Sequence, residues 1–446
     1  MIEFLMDVFD ESSQREAIIW KDQAYTYSWL RERVLYWQEQ IRNREIPHGS
    51  VVILEADFSP NAVALFLALI EARCILVPLT RSVEMKKKEF IEIAQGEIQF
   101  SIDDFDVTTI SVLDNQASHP LYENIRSVDH PGLILFSSGS TGKSKAALHD
   151  LTGLLEKFKT RRFAQRSISF LLYDHIGGVN TMLHILSNGG TLITVQDRSP
   201  DAVLGAVEKY QAELLPTSPT FINLILLSEA YKRHDLSSLK TVTYGTEPMP
   251  ESTLKRFHEL FPEIKLQQTY GLSEVGILRS KSLGSDTLWV KIGGEGFETR
   301  VVDNILQIRA QSAMLGYLNA PSPFTEDGWF NTGDEVEVDG EYMRILGRRS
   351  EQINVGGEKV YPAEVESVIQ AIPNVEEVSV YGEKNPITGS MVCAMVKLQQ
   401  SEDEQQAKLR IKQACAANLP RYKVPVRITF TQDEQHSERF KKMRPR

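Results

Sequence analysis

The stretch that most constrains this chain is Leu133-Ile-Leu-Phe-Ser-Ser-Gly-Ser-Thr-Gly-Lys-Ser-Lys-Ala-Ala-Leu-His149. Leu133 to Phe136 form a short continuous apolar run, which reads as a strand buried on both faces. The run opens directly into Ser137 to Lys145, a loop of backbone N–H groups, hydroxyls and two ammonium groups with no acid among them. Such a loop suits the oxygens of a polyphosphate, because glycine lets the backbone approach the ligand closely. On composition alone it is equally an ordinary Ser/Gly surface turn. Gly142-Lys143-Ser144 matches the end of a G-x-x-x-x-G-K-[ST] loop, but the first glycine of that pattern falls on Ser137. That pattern also opens a helix at its lysine, whereas Lys145-Ala-Ala-Leu-His149 reads as a strand. A kinase-type loop is disfavoured.

The rest of the composition narrows the function classes. The chain has 446 residues, enough for one large domain or two to three ordinary ones. A net charge of −11 argues against generic nucleic-acid or anionic-membrane binding, so an anion site must be a local exception. Cys74, Cys393 and Cys415 are far apart and form no metal-binding pattern, which predicts free thiols in a reducing compartment. The N-terminal residues carry acids and no basic region, and the longest apolar run, 62–70, is too short to span a bilayer. The expectation is a cytoplasmic protein with no membrane span and no nucleic-acid partner.

Strand and helix patterns alternate through the first half. Residues 17–27 read as a hairpin, 28–41 as a helix, 51–54 as a strand, 61–73 as a helix and 75–79 as a strand. Beyond the central loop, 154–163 reads as a helix and 167–172 as a strand leading to Tyr173-Asp-His-Ile-Gly-Gly178. Ser199-Pro200 places an N-cap and a first-turn proline before a helix through Tyr210. From Gly293 to Leu346 the pattern changes to short strands and turns, a meander or small barrel. After a polar linker at 347–352 comes a compact unit: helix 362–372, strands 375–381 and 391–398, and helix 402–417. The predicted fold is therefore α/β, with a large N-terminal layered domain plus small β-barrel at 1–347. A smaller α+β C-terminal domain follows at 348–446.

Several loops then stand at predicted strand ends: Ser137 to Lys145, Tyr173 to Gly178, Tyr244-Gly-Thr-Glu-Pro248, Tyr270-Gly-Leu-Ser-Glu274 and Gly328-Trp-Phe-Asn-Thr-Gly-Asp334. Gly347-Arg348 and Gly356-Gly357-Glu-Lys-Val follow them. In order and spacing the chain resembles the adenylate-forming superfamily: acyl- and aryl-CoA synthetases, adenylation domains of peptide synthetases, and luciferases. The resemblance covers nearly the whole chain. Singly, each motif has a plain alternative: Asp334 caps a turn, Glu274 opens a helix, Gly356-Gly357 makes a hairpin.

The resemblance implies ATP-phosphate contacts from Ser138, Ser140, Thr141 and Lys145. Here Ser144 and Ala146 flank the lysine in place of the usual proline and glycine. It implies that Gly245, Thr246, Glu247 and Pro248 border the adenine, and that Tyr270 lies against it, with Gly271 and Ser273 in the same motif. Glu274 would hold Mg²⁺, which favours a carboxylate oxygen together with substrate phosphates. Asp334 would accept hydrogen bonds from the ribose hydroxyls, with Arg348 a charged donor to the same sugar. The hinge position holds Ser350. The catalytic lysine of the family sits in a Gly-Lys-x-x-Arg-like context near the C-terminus, and this tail, Ser437 to Arg446, has no glycine. Lys442, followed by apolar Met443, is the first choice; Lys441, which gives Lys441-x-x-Arg444, is the second.

The implied reaction has two halves. A carboxylate attacks the α-phosphorus of ATP and pyrophosphate leaves; a thiol of CoA or of a carrier-protein phosphopantetheine then takes the acyl group and AMP leaves. The C-terminal domain is mobile between them, bringing Gly356 and Gly357 to the thiol arm. His175 aligns with the histidine of a Phe-His-x-x-Gly pattern, beside the substrate carboxylate, with Gly178 as its glycine. Asp174 raises the alternative of an ammonium anchor for amino acids, and Phe221 is a pocket candidate. An aryl, fatty or short acyl acid is preferred over an amino acid. A carrier-serving amino-acid adenylation enzyme and a non-catalytic nucleotide-binding protein are the alternatives.

Overall fold

In a computed structural model the structure describes residues 1–138, 144–437 and 439–445, the side chain of residue 138 excepted. Ser140 and Thr141, expected at the phosphates, lie outside the described residues.

Two seven-stranded sheets dominate the first two thirds of the chain. One runs Gly316–Tyr317, Ser144–Asp150, Gly132–Ser138, Ile75–Leu79, Val51–Glu55, Ile98–Ile102 and Thr108–Val112 across its width. The other runs Lys265–Gln268, Thr241–Tyr244, Leu214–Thr217, Arg166–Ile168, Thr191–Ile193, Glu16–Trp20 and Gln23–Thr26. The inner strands of both pair in parallel, except Ser144–Asp150, which is antiparallel to both neighbours. Alternation along each strand assigns its two faces. Val52, Leu54, Leu76, Leu133 and Leu135 enter a core shared with Ile18, Leu192 and Leu214 of the second sheet. Their neighbours Val51, Ile53, Ile75, Val77, Ile134 and Phe136 enter a separate core on the far face. The helices Tyr27–Asn43, Pro60–Glu71 and Ile176–Ser187 fill the shared core between the sheets. This is why Pro60–Glu71 is apolar nearly all round: all but two of its residues are buried.

The expected hairpin at 17–27 and strand after Lys145 are present. The helix expected over 154–163 is shorter. It comprises Leu151–Leu155 and a 3₁₀ turn, Glu156–Phe158, because Leu154, Leu155 and Phe158 are buried while residues 159–163 are all exposed. A further turn would bury nothing. The strand expected over 167–172 spans only Arg166–Ile168.

The meander is a six-stranded antiparallel sheet from Arg279–Ser282 to Phe297–Val302 across its width. Beyond Arg348 the strands Ile353–Val355, Glu358–Val360, Val375–Asn385, Gly389–Leu398 and Arg427–Phe430 form a five-stranded sheet. With the helices Pro362–Gln370 and Glu404–Asn418 they enclose a core running from Ile353 to Ile428, with no member from earlier in the chain.

Candidate functional site

Open parallel sheets place ligands beyond the carboxyl ends of their strands, where loops diverge. Here Thr217, Tyr244 and Gln268 end three adjacent parallel strands, and Ser218, Gly245-Thr246 and Thr269-Tyr270 follow them. Together with the Gly132–Ser138 and Ser144–Asp150 hairpin and the C-terminal tail they surround one cavity of ≈ 1690 Å³. Close packing at Gly245 permits this approach: a Cβ there would stand 2.6 Å from Thr269 Oγ1.

Two carboxylates are held by tyrosines at one end. Tyr270 donates to Asp334 Oδ2 at 2.5 Å, and Arg348 Nε lies 3.3 Å from Asp334 Oδ1. Asp334 and Arg348 face each other across adjacent antiparallel strands, which sets this pair. Tyr317 donates to Glu274 Oε1 at 2.6 Å, leaving Oε2 without a hydrogen bond among the described residues. Lys145 Nζ stands 5.0 Å from the centre of the Tyr317 ring. Burial raises the pKa of both tyrosines, and the adjacent carboxylates raise it further, so each stays a donor. Glu274 thus keeps a carboxylate oxygen for a hard cation, and a single carboxylate beside substrate phosphates suits Mg²⁺.

His175 begins the helix Ile176–Ser187 and accepts from Gly177 N through Nδ1 at 3.2 Å. Burial, with the charges of Arg439 and Lys441, pushes its pKa down to about 4, so it is a neutral imidazole near pH 7. Gly178 packs against the preceding loop, where a Cβ would fall 1.9 Å from the Leu172 carbonyl oxygen. Gly178→Ala should therefore destabilise the protein by about 3 kcal/mol, an overpacking cost against backbone that cannot yield. Chemical denaturation checks this, and an unchanged midpoint would show that the helix start shifts freely.

Asp174 is buried, and its Oδ2 accepts from Thr80 Oγ1 at 2.7 Å and from Arg439 Nη2 at 2.7 Å. It is therefore ion-paired within the protein. Phe221 is buried away from the cavity surface and packs on Phe170 and Phe440. Gly356 and Gly357 form the turn between two strands at φ +63° and +93°, with open space around both, and do not reach the cavity in this arrangement. Glu247 bridges rather than faces the cleft. Its Oε1 accepts from Thr220 N at 2.8 Å and its Oε2 from Lys442 N at 2.8 Å. Pro248 does not line the cavity, whereas Gly245, Thr246, Gly271 and Ser273 do.

The tail places the two lysines differently, although both line the cavity. Lys442 Nζ lies 3.4 Å from buried Glu366, which also binds Arg444. The expected first choice is thus engaged in an ion pair. Lys441 extends into the cleft, where the protein walls and Arg348 lower its pKa while Glu247, Glu351 and Asp334 act in the opposite sense. Phe440 adopts φ +51°, a left-handed conformation that costs a side-chain-bearing residue roughly 1–2 kcal/mol. Glycine would hold it freely, so this is the position at which a Gly-Lys pair is expected. Phe440 is held there by its ring, 5.2 Å from Phe170 and 5.1 Å from Phe221, and by Ser218 Oγ donating to its carbonyl at 2.7 Å. Sequence reasoning missed Tyr317, Glu366 and Arg439, which have no local motif.

Two family models match: "AMP-binding enzyme" over residues 7–304 and "AMP-binding enzyme C-terminal domain" over residues 364–441. A 2-succinylbenzoate–CoA ligase of Enterococcus faecalis is 24% identical over 93% of this chain and 91% of its own. An indoleacetate–CoA ligase of Aromatoleum aromaticum is 28% identical over 67% of this chain, a match spanning 63% of that relative's length. Among solved structures, an anthranilate CoA ligase, AuaEII, in complex with anthranoyl-AMP superposes with a TM-score of 0.81 at 19% identity, covering 98% of this chain and 95% of its own. With one model spanning more than half of its length and a second matching the C-terminal unit, the chain belongs to the AMP-binding enzyme family.

Proposed function

We propose that the protein is an ATP-dependent carboxylic acid ligase that forms an acyl-AMP, releases pyrophosphate, and transfers the acyl group to the thiol of CoA. The observation that carries this reading is that Arg348, Glu274, His175 and Lys441 line one cavity at the strand ends, with buried Asp334 paired to Arg348 behind that wall. Asp334 and Arg348 receive the ribose, Tyr270 lies against the adenine, and Glu274 with Lys145 serves the phosphate end. Mg²⁺ on Glu274 would supply charge neutralisation of the phosphates. Lys441 offsets the charge that builds between the attacking carboxylate and the α-phosphate. The attacking carboxylate is already ionised near pH 7, so the site needs alignment and electrostatic stabilisation rather than a base. Neutral His175 donates a hydrogen bond to the acid without repelling a cation.

An amino acid is disfavoured as substrate, since Asp174 is neutralised by Arg439 and offers no free charge to an ammonium. Pyrophosphate loss from ATP leaves Lys441 in the path of a thiol. The second half therefore needs the residues after Arg348 to swing as a domain about Ser350, withdrawing Lys441 and bringing up Gly356 and Gly357.

ATP–pyrophosphate exchange over a panel of aryl, aliphatic and amino acids tests the reading. Exchange with a carboxylic acid and CoA-dependent release of AMP support it; ADP release, or ATP binding without exchange on any acid, overturns it. Acyl transfer only to a carrier protein would replace CoA as the acceptor. Asp334→Ala should raise the KM for ATP by about 10- to 100-fold, the loss of a charge-assisted pair of hydrogen bonds worth about 1.5–3 kcal/mol, with the KM for the acid little changed. Steady-state kinetics in both substrates check this.

A further inference from the structure

The cavity continues past His175 along the helix Ile176–Ser187, away from the strand-end cleft. That helix buries Ile176, Val179, Met182, Leu183 and Leu186 in the core between the sheets. Its opposite face presents Asn180, Thr181, His184 and, at the helix end, Asn188 to the cavity at helical spacing. Lys157, Arg162 and Arg279 line the same chamber from neighbouring segments. Lys157 Nζ is held by the Ile277 carbonyl at 2.9 Å, a neutral acceptor that cancels no charge. Arg279 has one acidic partner, Glu295, at 3.2 Å, which is largely exposed. Among the described residues the carboxylates lining the cavity are Glu274 and Glu351, held by Tyr317 and Arg444 respectively. In a chain of net charge −11 this is a local excess of positive charge facing the cavity. Burial and the neighbouring guanidiniums of Arg162 and Arg279 push Lys157 down to about 7. Burial, Arg162 and Lys157 push His184 down to about 4. Like charges crowded beside one another favour an anion among them.

We propose that this chamber is a second anion subsite, so that the acid activated here carries a further carboxylate at its far end, received by Lys157 and Arg162 with His184 and Asn180 as hydrogen-bonding partners. The inference rests on the carboxylic acid ligase reading and names its substrate class. His184 lies nine residues beyond His175, roughly 13 Å at the rise of a helix, which sets the scale of the span between the two carboxylates. An apolar tail of the same length would be placed against ammonium and amide groups and would leave them unpaired, so the chamber selects against fatty acids as well as for the anion.

The test is ATP–pyrophosphate exchange with aliphatic and aryl dicarboxylic acids of graded length, each beside the monocarboxylic acid of matched length, in the wild type, Lys157→Met and Arg162→Gln. Arg162 is exposed, so its variant tests the charge without disturbing the core. The expected result is at least a 100-fold preference in kcat/KM for a dicarboxylate. Either variant should reduce that preference tenfold or more, with the KM for ATP unchanged. Calorimetric binding of the same dicarboxylates separates the two proposals, and proton uptake should accompany binding at pH 7.5 as the anion returns Lys157 to its charged form. Binding that depends on Lys157 with no exchange on any acid supports the subsite and overturns the ligase reading. Efficient exchange with monocarboxylic acids, insensitive to both variants, overturns the subsite and leaves the ligase reading standing. A raised KM for CoA but not for dephospho-CoA in the variants would assign the cations to the CoA phosphate and also overturn it.

Discussion

Lys441→Ala is expected to lower ATP–pyrophosphate exchange by roughly 10²–10³-fold, the usual consequence of removing one preorganised charged donor from a transition state. Its fold should be unaffected, because Lys441 makes no ion pair within 4 Å among the described residues and projects into the cleft. Lys442→Ala should do the reverse. Its ammonium shares buried Glu366 with Arg444, and its backbone N–H, which alanine keeps, holds Glu247. Exchange should then fall by less than about 10-fold while stability drops by about 1–3 kcal/mol, the cost of a hydrogen bond to a charged group. Measuring exchange and denaturation midpoints on both variants decides the assignment. If Lys442→Ala is the inactive, normally folded one, the choice of Lys441 is wrong. A pyrophosphate-releasing half-reaction that loses activity in Lys441→Ala, with acyl transfer from preformed acyl-AMP to CoA retained, would place the lysine in the first half alone.

The second large effect centres on Glu366, buried in the helix Pro362–Gln370. Arg444 reaches both of its oxygens at 2.9 Å, Lys442 reaches one at 3.4 Å, and Val380 N donates to it at 2.9 Å. These contacts tie the last residues of the chain to the C-terminal sheet, and the same tail carries Arg439 to Asp174, Phe440 to its aromatic slot and Lys441 to the cleft. Glu366→Ala leaves two cations without their buried partner, an outcome that costs about 3–5 kcal/mol. It should lower exchange as well as stability, because the tail loses its anchor. Glu366→Gln should fall between, as it keeps the shape and one acceptor.

Acid titration reads the same contact without a mutation. Burial alone would raise the Glu366 pKa, but Lys442, Arg444 and the Val380 N–H outweigh it and hold the carboxyl at about 2, against an ordinary value of 4.5. A carboxylate whose pKa is lowered on folding stabilises the fold above its unfolded pKa, and that contribution is lost as pH falls through the folded one. The window is therefore about pH 4.5 down to pH 2, and the contribution at neutral pH is on the order of 3 kcal/mol. Unfolding measured against pH should show a loss in this window in the wild type that Glu366→Gln lacks. An identical acid limb in both proteins would show that Glu366 is not the group responsible.

Much of the frame was legible in the chain because it depends on short-range pattern. Continuous apolar runs at 51–54, 75–79 and 133–136 assigned buried strands, and tertiary structure added only which face meets which core. Ser199-Pro200 caps and opens a helix through a local bond, Ala202 N–H donating to Ser199 Oγ, that needs no distant partner. The helix expected over 154–163 failed where periodicity ran past the last buried residue, Phe158, since its continuation has nothing to pack on.

What the sequence by itself determined is the order of strands, helices and loop motifs, and with it the family. Propensity, capping and apolar patterning act between neighbours and can be read without a fold. Only the tertiary structure decided which candidate side chains are free. Lys441 and Lys442 are adjacent in the chain and both line the cavity, but a buried carboxylate 76 residues before Lys442 holds only the second in an ion pair. Asp174 left open the alternative of an ammonium anchor, and only the fold pairs it with Arg439, 265 residues later. Charge pairing acts through space at distances of about 3 Å, so the function of an ionisable side chain is set by what the fold places against it.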